Sequence, residues 1–204
     1  MQYNLSDLLK LIKERRSLKP ERYSSRKVHR EQIEKMLEAA NWAPTHGLTE
    51  PWRFKVYSGE ARRQLMLFCA ELYTKFTPEE KFMQHKHDAF MKRAEKDLNV
   101  ILVYRKRDPL QRIPAEEEDW AVACAVQNLS LVAAAYGIGC FWSSGKIVFS
   151  QELHQWAGLE ADDRCMGLLY LGYPEGEMPA GKRNIWINKV EWIDTPGGNS
   201  APAE

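Results

Sequence analysis

Three short clusters of polar side chains stand where regular periodicity breaks, which is where a ligand can reach them. The first is Arg15, Arg16 and Ser17. Two guanidinium forks and a hydroxyl suit a phosphate, because arginine pairs bidentately with oxyanions and holds its charge. Two basic residues at a helix C-terminus also complement the helix dipole, which is a purely structural use. The second cluster lies at 43–52, a bend stiffened by Pro44 and Pro51 that carries Thr45, His46, Thr49 and Glu50. Taken alone it reads first as an ordinary helix-to-strand turn with His46 bonded to backbone. The third is Trp142, Ser143 and Ser144 after Phe141, an aromatic pair followed by two hydroxyls at a strand end, or simply core turning into loop.

Other residue types with chemical potential point elsewhere. Cys69, Cys124, Cys140 and Cys165 show no C-x-x-C spacing and sit among apolar or small neighbours, so they read as reduced core thiols. His85 and His87 are two apart in a helical stretch and point to different faces, so no metal site is expected there. No side chain stands out as an obligatory acid or nucleophile.

The elements that must carry these clusters are legible from periodicity. Leu5, Leu8, Leu9 and Ile12 mark a first helix that ends at Arg15, and Ile33, Met36, Leu37 and Ala40 mark a second that Pro44 stops. The alternating run 52–57 reads as a strand. Residues 59–97 read as helix, interrupted at Thr77 and Pro78, which suit the N-cap and first turn of a second piece. That charged piece fits either a helical flap or a solvated helix. A short apolar strand at 99–104 precedes a helix over about 116–136 that is apolar on nearly every side and therefore central. Gly137 and Gly139 end it, and a strand runs from Cys140 into Ser143. A short helix at 151–157, a strand at 165–174, a loop and a late alternating strand at 186–193 follow.

This mixture lacks regular βαβ alternation, so the predicted fold is α+β: a mainly antiparallel sheet flanked by helices on both faces. Length suits one domain, taken as 1–194, and the composition of 195–204 predicts a disordered tail. The late strand has no partner near in sequence, and its Trp186, Ile187, Val190 and Trp192 are apolar, so it is expected to pair with a second copy in a homodimer.

Charge and hydropathy exclude several classes. Lys and Arg total 29 against 28 Asp and Glu, which gives no cationic excess for nucleic acid. No apolar run approaches the roughly 20 residues a membrane helix needs, and the first residues form an amphipathic pattern without a signal-peptide core. A cytoplasmic protein is expected.

Taken together, the clusters resemble the nitroreductase family of FMN enzymes. The order and spacing of the Arg-Arg-Ser, the Ala-Pro segment that leads into Pro51-Trp52, the long helix ending in Gly-x-Gly and Trp-x-Ser-Gly at 142–145 all agree, as do Leu-Gly-Tyr-Pro at 171–174 and the basic pair after it. The chain is most similar to the small branch with His in the Ala-Pro loop. The resemblance implies that Arg15, Arg16 and Ser17 hold the FMN phosphate and ribityl chain, with Lys182 or Arg183 as a further phosphate partner. It implies that His46 reaches the flavin across a dimer and that Trp142, Ser143 and Ser144 line the cofactor. It implies NAD(P)H as electron donor and a small-molecule acceptor such as a nitroaromatic or quinone. Glu50 stands where many members carry Gln, so it can only accept a hydrogen bond from the ring. Leu48 replaces the usual Asn, and Trp42 stands where the close branch has an Arg. Those departures keep a non-catalytic flavin-binding dimer open as the alternative, together with other flavin reactions of the fold such as dehalogenation and flavin breakdown.

Overall fold

A computed structural model describes residues 3–193. Four strands, β1 (Trp52–Tyr57), β2 (Asn99–Arg105), β3 (Gly139–Ser143) and β4 (Arg164–Gly172), form one antiparallel sheet in the order β1-β2-β4-β3. The helices are α1 (Leu5–Glu14), α2 (Arg30–Ala40), α3 (Gly59–Phe76), α4 (Gln84–Glu95), α5 (Ala115–Ala135) and α6 (Gln151–Trp156).

Side chains alternate across a strand, so the two central strands supply both cores. Ile101, Val103, Leu169 and Leu171 pack with α2 and α5 on one face. Val100, Leu102, Leu168 and Tyr170 pack with α3, α6 and the end of α4 on the other. This is the expected two-sided α+β arrangement. A register shift between Val103 and Tyr104 marks a bulge that brings Val103 opposite Gly167 and Tyr104 opposite Cys165.

Helix termini are set by local chemistry. The Asn4 carboxamide accepts from the backbone N–H groups of Ser6 at 2.9 Å and Asp7 at 3.3 Å, so it caps α1. Glu116, Glu117 and Glu118 occupy the first turn of α5, where the helix dipole favours negative charge. Glu118 is fully buried and ion-paired to Arg107 at 2.6 Å and Arg105 at 3.5 Å, while Asp119 meets Arg105 at 3.0 Å and also Arg164. These pairs tie the start of α5 to the ends of β2 and β4.

Two expectations need correction. Thr77 and Pro78 do not start the second helical piece: Thr77 closes α3, a single 3-10 turn follows at Glu79–Lys81, and α4 begins only at Gln84. The Tyr73 hydroxyl accepts from the Met83 N–H at 3.0 Å and donates to the Met83 carbonyl at 3.4 Å, which pins the chain before α4. The run 186–193 is not a strand in this chain. It holds one 3-10 turn at Ile187–Lys189, and Trp186, Val190 and Trp192 are exposed. Alternation supplies an apolar face but no ladder, and the free edge of β3 is already met by Ser17, which bridges Cys140. The predicted tail at 195–204 lies outside the described residues.

Candidate functional site

Arg15 is the C-cap of α1, its N–H bonded to the Leu11 carbonyl at 3.0 Å. The chain then turns extended, and Leu18 N–H donates to the Cys140 carbonyl at 2.9 Å. This pairing lays Ser17 along the edge of β3. Arg15 and Ser17 consequently share a recess of about 210 Å³ with Gln127, Ser130, Cys140 and Trp142. Arg15 is half-buried and has no carboxylate partner among the described residues. Its charge reaches the Cys140 thiol: burial pushes that thiol up to about 12, against the downward pull of the Ser130 hydroxyl and Arg15.

Arg16 faces differently. Its guanidinium donates to the carbonyls of Arg15, at 2.7 Å, and Lys13, and it lines a separate recess with Glu14, Met178 and Gly181. The Arg16 guanidinium lies over Gly181, where a Cβ would fall 2.1 Å from Nη2, so the loop after β4 meets the end of α1 at this point. Lys182 and Arg183 follow directly and are exposed, and Arg183 donates to the Lys182 carbonyl at 2.8 Å.

The Ala-Pro bend carries backbone strain. Leu48 has φ of 53° and Glu50 has φ of 41°, a left-handed conformation that costs a non-glycine residue about 1–2 kcal/mol. Strain of this kind collects at binding sites. His46 Nδ1 lies 2.6 Å from Glu117 Oε2 in the first turn of α5, with the imidazole 65% exposed. Neither His46 nor Glu50 lines the recess of Arg15 within one chain.

Trp142 and Ser143 are successive residues at the end of β3 and so open to opposite sheet faces. Trp142 walls the Arg15 recess, and its indole lies against Gly167, where a Cβ would fall 2.0 Å from Nε1. Only glycine leaves room for that ring. Ser143 and Ser144 instead line a second recess of about 420 Å³ between α3, α4 and the loop after β3. Aromatic rings of Tyr73, Phe76, Phe90 and Tyr170 line it too. The structure thus gathers Arg15, Ser17 and Trp142, sets Ser143 and Ser144 beside them on the other face, and leaves Arg16, His46, Glu50, Lys182 and Arg183 outside that gathering.

Sequence reasoning missed Gly167, Gly181 and the side chains of α4. The glycines are identified by what crosses them from distant segments, and α4 shows in sequence only as a charged helix. A cue lay in Phe90 and Arg93, three apart and therefore on one face.

The four-stranded antiparallel sheet with helices on both faces matches the fold of nitroreductase-like flavoproteins. The chain belongs to the Nitroreductase family, whose model matches residues 12–173. It is 32% identical over 183 residues to YfhC of Bacillus subtilis, a candidate NAD(P)H nitroreductase, covering 89% of this chain and 91% of that one. The crystal structure of a nitroreductase-like family protein from Bacillus cereus superposes with a TM-score of 0.78 at 29% identity, covering 96% of this chain and 99% of the other. A candidate nitroreductase from Desulfovibrio desulfuricans solved with FMN shares the fold at a TM-score of 0.68 and 23% identity, over 96% and 100% of the two chains.

Proposed function

We propose that this chain is an FMN-dependent oxidoreductase that passes hydride equivalents from NAD(P)H to a small electron-poor acceptor such as a nitroaromatic or quinone. The observation that carries this reading is Arg15: a half-buried guanidinium without a carboxylate partner among the described residues, set beside the Ser17 hydroxyl in a recess walled by Trp142. A cation held in this way calls for an exogenous oxyanion, and a phosphate monoester with a polyol chain and an aromatic ring matches the guanidinium, hydroxyls and indole in turn. The FMN found in the Desulfovibrio desulfuricans relative has that chemistry.

In this reading Arg15 and Ser17 hold the phosphate and ribityl chain, and Lys182 and Arg183 add positive charge from the loop that meets Arg16 at Gly181. Arg16 supports Arg15 through its carbonyl. Trp142, Ser143 and Ser144 flank the ring, and His46 and Glu50 come from a second copy, because within one chain they stand outside the recess. When bound, FMN supplies the two-electron chemistry that side chains lack. For a nitro acceptor the balance is ArNO2 + NAD(P)H + H+ giving ArNO + NAD(P)+ + H2O, with the extra proton drawn from solvent or a nearby group.

A homodimer is part of the proposal. Leu5, Leu8, Leu9 and Ile12 of α1 are exposed on one stripe, as are Trp42, Trp120 and Trp186 elsewhere. So much exposed apolar surface fits an interface better than a free surface.

The test is steady-state NAD(P)H consumption by protein stripped of its bound flavin, before and after reconstitution with FMN, each with and without acceptor. Turnover that needs both supports the proposal. A protein that retains FMN and consumes no NAD(P)H with any nitroaromatic or quinone tried would favour the non-catalytic flavin-binding alternative that Leu48, Glu50 and Trp42 keep in play.

A further inference from the structure

The larger of the recesses that meet at Trp142 and Ser143 has a chemical character of its own. Its walls are aromatic and aliphatic, from Phe76, Phe90, Tyr170 and Leu168, and its polar lining includes Lys86, Arg93 and Lys146 with no aspartate or glutamate. Its volume of about 420 Å³ lies within the range of small-molecule sites. Arg93 is already engaged: it pairs with Glu21 at 2.5 Å and lies 5.4 Å from the Phe90 ring and 5.2 Å from the Tyr170 ring. The two lysines are not neutralised. Lys146 donates to the Phe76 carbonyl at 3.1 Å and lies 5.4 Å from the Phe76 ring, and neither it nor Lys86 has an ion-pair partner among the described residues.

From this we infer that the recess is a binding site for aromatic anions, and that the acceptors it favours carry a carboxylate or similar group on the ring. A neutral aromatic gains only the apolar walls. An anionic one gains the walls and two cations without ion-pair partners among the described residues; both lysines are exposed at the rim, so their attraction is screened by solvent and salt. A cationic aromatic meets like charge. Ser143 and Ser144 line this recess, and the flavin reading sets the same two residues against the ring, so on that reading a ligand here reaches the flavin from the α3–α4 side. Its role as an electron acceptor rests on the flavin reading; its binding as an anion does not.

Calorimetric titration of the full chain, as purified and after FMN loading, with 4-nitrobenzoate and nitrobenzene separates the possibilities. The expected result is binding of 4-nitrobenzoate about tenfold or more tighter than nitrobenzene, a preference of at least about 1.4 kcal/mol that weakens as salt rises. Lys86→Glu and Lys146→Gln should each reduce that ratio, and a thermal melt confirms that the variants are folded. Equal affinity for the two ligands, or a preference that survives both substitutions combined, overturns the inference. FMN retention and NAD(P)H oxidation are recorded on the same samples. Protein that prefers 4-nitrobenzoate but holds no FMN sinks the flavin reading alone, and protein that turns over with FMN but treats both ligands alike sinks the anion site alone.

Discussion

Arg15 and Arg16 are adjacent and chemically identical, yet the end of α1 gives them different work. Arg16 spends its donors on the carbonyls of Lys13 and Arg15, whereas Arg15 faces the recess of Ser17 and Trp142 without a carboxylate partner among the described residues. Arg15→Ala should therefore weaken FMN binding by about 1.5–3 kcal/mol, the range for a charge-assisted contact, and by more than Lys182→Ala. Fluorescence titration of FMN checks this, and equal affinity for wild type and Arg15→Ala would remove the phosphate assignment. Glu50 gives a second prediction. If a partner's Glu50 faces the ring, Glu50→Gln removes a negative charge there, raises the flavin midpoint potential and speeds reduction by NAD(P)H. An unchanged potential in a dye-equilibration measurement would mean that Glu50 points away. At this scale the sequence exposed residue type but not direction: Arg15, Ser17 and Trp142 were all legible, while the turning of Arg16 onto backbone depends on how α1 ends. Gly167 and Gly181 carried no local cue at all, because each is defined by a side chain from another segment passing over it.

Among the elements, α5 is the one whose placement most affects the site, since it walls the Arg15 recess and offers Glu117 to His46. Its start is held by buried charge. Glu118 accepts from Arg107 and from the Asp108 N–H at 2.9 Å, and it lies beside Arg105, all near the end of β2. Glu118→Ala would leave two largely buried guanidinium groups short of a partner, and a loss of about 3–5 kcal/mol is expected in urea unfolding. A loss under about 1 kcal/mol would mean that Asp119 alone suffices to fix the helix. Periodicity revealed these elements because burial imposes it: period two in β1, the double-sided apolar run of β2, and the nearly all-round apolar surface of α5. It failed where the partner of a segment lies elsewhere. Thr77 and Pro78 have good capping chemistry, but the hydroxyl of Tyr73 sets where α4 begins. The run 186–193 alternates as a strand should and finds no ladder among the described residues of its own chain.

For the whole molecule, the exposed stripe of α1, the outward Trp42 and Trp120 and the exposed Trp186 and Trp192 all call for cover. We expect a symmetric homodimer in which the segment after residue 184 lies against the other copy, completing a site that one chain leaves open. Truncation from residue 184 should give a monomeric or aggregating protein that no longer holds FMN, read by analytical ultracentrifugation with absorbance detection. A truncated chain that stays dimeric and yellow would place the interface elsewhere.

The central claim, that this fold holds FMN and reduces it with a nicotinamide donor, is tested most directly by anaerobic titration. Protein loaded with FMN and freed of excess is mixed with NADH or NADPH in a stopped-flow spectrometer while the visible flavin band is followed. The band is expected to co-purify with the protein and to bleach on mixing with at least one of the two donors, then to return when a nitroaromatic or quinone is added. A protein that keeps no flavin band, or one whose bound flavin stays oxidised with both donors, would contradict it.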